Sequence, residues 1–285
     1  MRIGISTPVV TVVPGVASAW EREAGISDIT RIAEAADGLG FDYLTCSEHV
    51  AIDADVAAER GSTYWDPLAT LAFLAARTTR IRLATSVIVL GYHHPLGIAK
   101  RYGTLDRVSN GRLVLGVGIG SLRSEFDLLG ASWTDRGDRG DDALRALRAS
   151  LSTPNPGYQG DYYRFDSVVV DPCAVQPHVP IWVGGRTARS LRRAREYADG
   201  WMPFGLSGNE ITRLLGLVHC GPGFEIVLPT ARIDPMSDRG HTQRQLDRLR
   251  DLGATAITCS IAATSAEHYC EQLAILSAMT TEVES

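Results

Sequence analysis

Short β-branched and apolar runs alternate along the chain with segments whose apolar positions recur every three or four residues. Ile3–Ser6 reads as a strand, and Asp28 then caps a helix carrying Ile29, Ile32, Ala33, Ala36 and Leu39, closed by Gly40. Asp42–Ser47 predicts a second strand, and after an irregular insertion Pro67 opens a helix with Leu68, Leu71, Ala72 and Ala75. Ile81–Leu90 predicts one long strand, and the helix from Pro95 carries Ile98, Ala99, Tyr102, Leu105 and Val108. Arg112–Val117 makes the fourth strand, followed by a helix around Asp141–Leu151. After a Pro/Gly-punctuated insertion (Pro154–Pro180) come strand-like runs at Ile181–Val183, Gly200–Pro203, Glu225–Leu228 and Thr255–Ile261, each followed by a helical pattern. The last two helices carry Leu246 and Leu249, then Tyr269, Leu273 and Leu276.

Eight β-then-α units of about 36 residues imply a parallel sheet with helical crossovers. Nearly continuous apolar strands favour closure, so the expected fold is α/β: a single (β/α)8 TIM barrel with insertions after strands 2 and 4. No linker or composition shift divides residues 1–285, which predicts one domain.

Composition narrows the function classes. Apolar residues make up 45% and charged residues 21%, and the net charge is −5, far from the basic footprint that a nucleic-acid grip requires. No apolar run approaches the ~18 residues of a membrane span. Five scattered cysteines with no CxxC pair form neither a disulfide framework nor a zinc spacing, and predict reduced thiols in a cytoplasmic protein. Arg2, the apolar stretch to Val16 and Ala17-Ser18-Ala19 imitate a secretory signal, but Pro8 and Pro14 interrupt it and the first strand is needed by the pattern. Of 28 basic residues only Lys100 is lysine, a mark of GC-rich coding.

In a barrel of this kind the chemistry sits in the loops after the strands. Ser47-Glu48-His49 places an imidazole at the end of strand two, able to exchange a proton near neutral pH. Gly116-Val117-Gly118-Ile119-Gly120-Ser121 crowds glycines after strand four, where a flat ring or phosphate can approach the backbone. It lacks the third glycine of a dinucleotide fingerprint, Arg123 standing at that spacing. Gly184-Gly185-Arg186-Thr187 runs into a helix N-terminus and offers backbone N–H groups and a guanidinium to an anion. His93-His94 makes a poor metal pair, and no metal is expected. Tyr64, Trp65 and Trp133 are candidates to line a substrate space.

Taken in order, Arg2–Ser6, Leu39-Gly40-Phe41-Asp42 to His49, Arg80–Ser86, Asp106–Leu113, Gly116–Glu125 and Pro180–Gly185 through Asp199-Gly200-Trp201 resemble the luciferase-like family of flavin- and deazaflavin-dependent oxidoreductases. The resemblance covers about residues 1–205. It implies the same barrel, a flavin-type ring beside strands three and four, and His49 at the ring's reactive edge. Members using coenzyme F420 often carry a non-proline cis peptide in strand three, and the matching bond is Ser86–Val87. The phosphate-bearing tail is implied near Gly118, Gly120 and Ser121 and near Gly184, Gly185, Arg186 and Thr187. Two departures weigh against sugar-phosphate oxidation: Val50–Asp53 holds no aromatic, and Ser121 stands where a glutamate is usual. Glu125 matches a common family glutamate.

The expected activity is hydride transfer between F420 and a small organic substrate. An FMN-dependent monooxygenase of the same architecture is the alternative, and a non-catalytic cofactor-binding barrel the reading from another class. Members are often dimers, so a homodimer is an expectation. The GC-rich signature suits an actinobacterial source.

Overall fold

A computed structural model of the chain describes residues 1–282. Eight strands alternate with eight helices. They are β1 (Arg2–Ser6), α1 (Ile26–Gly38), β2 (Tyr43–Cys46), α2 (Pro67–Ala75), β3 (Arg82–Thr85), α3 (Pro95–Val108), β4 (Leu113–Gly118), α4 (Arg136–Ser150), β5 (Ile181–Gly184), α5 (Ala188–Tyr197), β6 (Gly200–Met202), α6 (Gly208–Leu215), β7 (Glu225–Ile233), α7 (Arg239–Asp251), β8 (Ala256–Ile261) and α8 (Ala266–Glu282). The strands pair in sequence, all parallel, and β8 pairs with β1 to close the ring. This is the (β/α)8 barrel that the alternation predicts.

Three local expectations are corrected. The run Ile81–Leu90 is not one strand: β3 stops at Thr85, a two-residue strand resumes at Ile88–Val89, and a 3-10 turn follows at Leu90–Tyr92. Apolar content alone carries no mark of that break. Asp28 is not the cap of α1. Gly25 is, and Asp28 sits one turn in, its Oδ2 accepting from the Gly25 N–H at 2.9 Å. β7 runs on to Ile233, past the predicted Leu228, because a register shift between Pro229 and Arg232 lets it keep pairing with β8.

The barrel interior is filled low down by Tyr43 and Trp182, edge to face at 5.1 Å, with Ala84, Val114, Val227, Met202 and Ala256 around them. Tyr43 Oη meets Thr258 Oγ1 at 2.7 Å. Side chains alternate along a strand, so Thr45, Ser86 and Gly116, two residues beyond Tyr43, Ala84 and Val114, share that inward face. The apolar plug therefore ends and small or hydroxylated residues floor the mouth, with Ser6 exposed at the end of β1.

The matched segment Asp106–Leu113 proves to be scaffold. Asp106 is fully buried and accepts from the N–H groups of Leu113, Val175 and Gln176 and from Gln176 Nε2, the last at 2.7 Å. Arg112 donates to Thr78 Oγ1, Ile81 O and Ala75 O, tying β4 to the end of α2. Asp142 is likewise fully buried and joins α4 to a hairpin, Tyr158–Gln159 with Arg164–Phe165, by accepting from Tyr158 Oη and the N–H groups of Tyr162 and Tyr163. Among the described residues no helix is long and apolar enough to cross a membrane.

Candidate active site

β2 delivers Glu48 and His49 to the mouth of the barrel. His49 Nδ1 lies 2.7 Å from Glu125 Oε2. Glu125 belongs to a short helix, Arg123–Leu128, and is fully buried beside Phe126, which anchors that helix in the interior. The carboxylate also accepts from Tyr92 Oη at 2.8 Å and from the N–H groups of Val50 at 2.6 Å and Ala51 at 3.2 Å. Burial by itself raises a carboxyl pKa. The bonds from His49, Tyr92 and Val50 outweigh it and hold Glu125 below its ordinary value. The Tyr92 hydroxyl moves the other way, raised by burial and by its bond to Glu125.

An ionised carboxylate only accepts hydrogen bonds, so Nδ1 of His49 carries the proton. Nε2 has no partner among the described residues. The Tyr64 ring packs against the imidazole in a T-shaped contact, with ring centroids 4.6 Å apart. Tyr64 arrives from the insertion after β2, on a two-residue strand (Thr63–Tyr64) paired with Thr11–Val12 from the loop after β1. An aromatic is thus set beside His49 although Val50–Asp53 holds none. Of the other aromatics, Trp65 donates its backbone N–H to Val10 O and packs against the core. Trp133 lies against Phe126 and under the Arg136 guanidinium.

The two glycine clusters are neighbours. Val183 pairs with Val117, so Gly184 lies beside Gly118 at the adjoining ends of β5 and β4. Both face one side chain: a Cβ on Gly118 would stand 2.7 Å from Val87 Cγ2, and one on Gly184 would stand 3.0 Å from Val87 Cγ1. Val87 follows a cis peptide bond at Ser86–Val87, the bond the family resemblance singles out. Ser86 Oγ donates toward Met202 Sδ at 3.4 Å.

Beyond these rims, no acceptor among the described residues meets the backbone N–H groups of Gly120, Ser121, Gly185 or Arg186. Thr187 is differently employed: as N-cap of α5 its hydroxyl accepts from the Ser190 N–H, and its own N–H donates to Ser190 Oγ. Arg186 is exposed and lies over the Phe204 ring at 5.7 Å. The arrangement offers a flat face at Val87 with bare backbone on either side, free N–H donors and one guanidinium beyond it, and an imidazole across the mouth. Those are fitting partners for a planar ring that carries an anionic tail.

His93 and His94 are turned to separate partners. His93 Nε2 meets Glu48 Oε1 at 2.7 Å, while His94 caps α3 by accepting from the Leu96 N–H. Among the described residues no group of three or more His, Cys, Asp or Glu could hold a metal ion. Glu48 and Tyr92 were not legible as site residues, since nothing in their spacing separates them from ordinary strand-end polar residues.

Residues 1–218 match the family model described as luciferase-like monooxygenase. An uncharacterized protein of Mycobacterium tuberculosis is 30% identical over 262 residues, covering 85% of this chain and 91% of its own length. An F420-dependent glucose-6-phosphate dehydrogenase of Amycolatopsis mediterranei is 28% identical over 191 residues, covering 66% of this chain and 56% of its own length. Among solved structures, monooxygenase RslO1 from Streptomyces bottropensis superposes with a TM-score of 0.79 at 24% identity over the full length of both chains. With the barrel, its mouth and the match over three-quarters of its length in agreement, the chain belongs to the luciferase-like monooxygenase family.

Proposed function

We propose that the protein is an F420-dependent oxidoreductase acting on a small organic substrate. The observation that carries this reading is the convergence, on one rim, of the paired glycine strand ends at Val87 with His49 held on Glu125. Gly118, Gly120, Ser121, Gly184, Gly185 and Arg186 would hold the cofactor through its backbone-facing side and its tail. Thr187 contributes by fixing the start of α5. When bound, the deazaflavin supplies a two-electron hydride donor or acceptor.

The chain's own part is proton management and positioning. With Nδ1 committed to Glu125, Nε2 of His49 is the free nitrogen. It takes a proton from a substrate hydroxyl in the oxidising direction and returns one to a carbonyl in the reverse. The buried carboxylate stabilises the imidazolium that forms and keeps the ring from turning. Tyr64 packs against that imidazole and helps to fix its position. Similarity to an F420-dependent dehydrogenase supports the deazaflavin, whereas the family's description as monooxygenase supports oxygenation, for which FMN is the competing cofactor.

Titrating the protein with F420 and with FMN, each followed by quenching of cofactor fluorescence, separates the two. The proposal predicts saturable F420 binding at least about tenfold tighter than FMN, a difference of ~1.4 kcal/mol. Tight binding of FMN alone, with oxygen consumed when reduced FMN is supplied, would overturn it.

A further inference from the structure

Glu48 precedes His49 yet faces away from it. Its carboxylate is buried, and both oxygens are taken by the stretch that follows β3: Oε2 accepts from the Val89 N–H at 2.7 Å and Oε1 meets His93 Nε2 at 2.7 Å. Its own N–H donates to Val87 O at 3.3 Å. Three bonds from one residue therefore fasten the irregular stretch between Val87 and His93 to the end of β2. That stretch has little regular pairing of its own, since β3 ends at Thr85 and only Ile88–Val89 rejoin β4.

A buried carboxylate is costly unless its acceptors are met, and an apolar side chain of similar volume fills space more cheaply. What an apolar residue cannot do is hold an N–H and an imidazole at fixed separation. The held segment carries Val87, the side chain against which Gly118 and Gly184 both abut. We infer that Glu48 is a positioning residue: it sets the height and tilt of Val87 at the cofactor face without touching the cofactor. Glu48 with His93 and Glu125 with His49 are then two carboxylate–imidazole pairs of distinct duty, one fixing the surface on which the cofactor rests and the other the proton carrier.

This inference rests on the mouth being a cofactor site, and the test keeps the two apart. Dissociation constants for F420 and FMN are measured by fluorescence quenching on the unaltered protein, Glu48→Ala, Val87→Ala and the double variant, with Glu48→Gln as a milder substitution and circular dichroism checking the fold. For whichever cofactor the unaltered protein binds, Glu48→Ala weakens binding at least about tenfold and Glu48→Gln at least about threefold. In the Val87→Ala background the added effect of Glu48→Ala shrinks to less than about threefold, because the residue it acts through is gone. A role confined to general stability would instead multiply the two effects. That result, or binding by both folded Glu48 variants within twofold of the unaltered protein, overturns the inference. An unaltered protein that binds neither cofactor removes the functional reading itself, and this inference with it.

Discussion

His49 derives its chemical character from a residue 76 positions away in the chain. The Nδ1 bond to Glu125 fixes the tautomer, and the carboxylate stays ionised because four donors meet it. Replacing His49 by Ala is expected to lower turnover by at least about a hundredfold, the lower range for losing a positioned acid–base group. Cofactor affinity is expected to stay within about threefold, as measured by steady-state rates beside fluorescence titration. Glu125→Gln is expected to lower turnover while leaving binding intact, since an amide cannot stabilise an imidazolium as a carboxylate does. An activity unchanged by either substitution would leave the mouth without its proton carrier. From sequence, His49 was identifiable through its place after a strand. Its partner Glu125, and the Tyr92 that donates to Glu125, come from later segments, and only the closed ring brings them together.

At the scale of elements, the site depends on β4 and β5 ending side by side in bare glycine. A Cβ at Gly118 would press on Val87 Cγ2 at 2.7 Å, so Gly118→Ala must displace Val87 or the end of β4. Overpacking of this sort costs ~1–3 kcal/mol. Where it falls on a binding surface it is expected to appear as a loss of cofactor affinity of about tenfold or more. A titration showing undiminished affinity would mean that the strand ends do not shape the site. The glycine clusters were legible as sequence motifs, and alternation gave the order of strands and helices. The break in strand three was not marked by the residue pattern, because Ser86 and Val87 sit in a run of strand-forming residues; only the family resemblance pointed to the Ser86–Val87 bond. Nor was the pairing of Thr63–Tyr64 with Thr11–Val12, since two-residue strands leave no period to read.

For the whole molecule, buried polar fasteners outside the mouth tie elements around the apolar core to one another. Asp142 ties α4 to the hairpin in the segment before β5. Burial alone would raise its pKa, but bonds from Tyr158, the N–H groups of Tyr162 and Tyr163, and Arg145 bring it down to about 2. A carboxyl whose folded pKa lies below its unfolded one adds stability that is full above the unfolded value and fades as pH falls toward the folded one. The window here runs from about 3.8 down to about 2. Asp142→Asn is expected to cost ~2 kcal/mol near neutral pH, a drop in melting temperature of about 3 °C. The gap should narrow as pH is lowered through that window in thermal denaturation series. A gap constant with pH would show that ionisation of Asp142 contributes nothing. The buried Asp106 network explains why the matched segment Asp106–Leu113 lies away from the mouth: it encodes part of the frame that brings the loops together.

The most direct test of the account is a crystal structure of the protein with F420 bound. The account predicts the deazaflavin ring against Val87, with Gly118 and Gly184 on its flanks, its phosphate within hydrogen-bonding distance of the Gly185 or Arg186 N–H, and His49 Nε2 facing the space above the ring. A cofactor lying elsewhere on the barrel, or a phosphate with no contact to either glycine cluster, would contradict it.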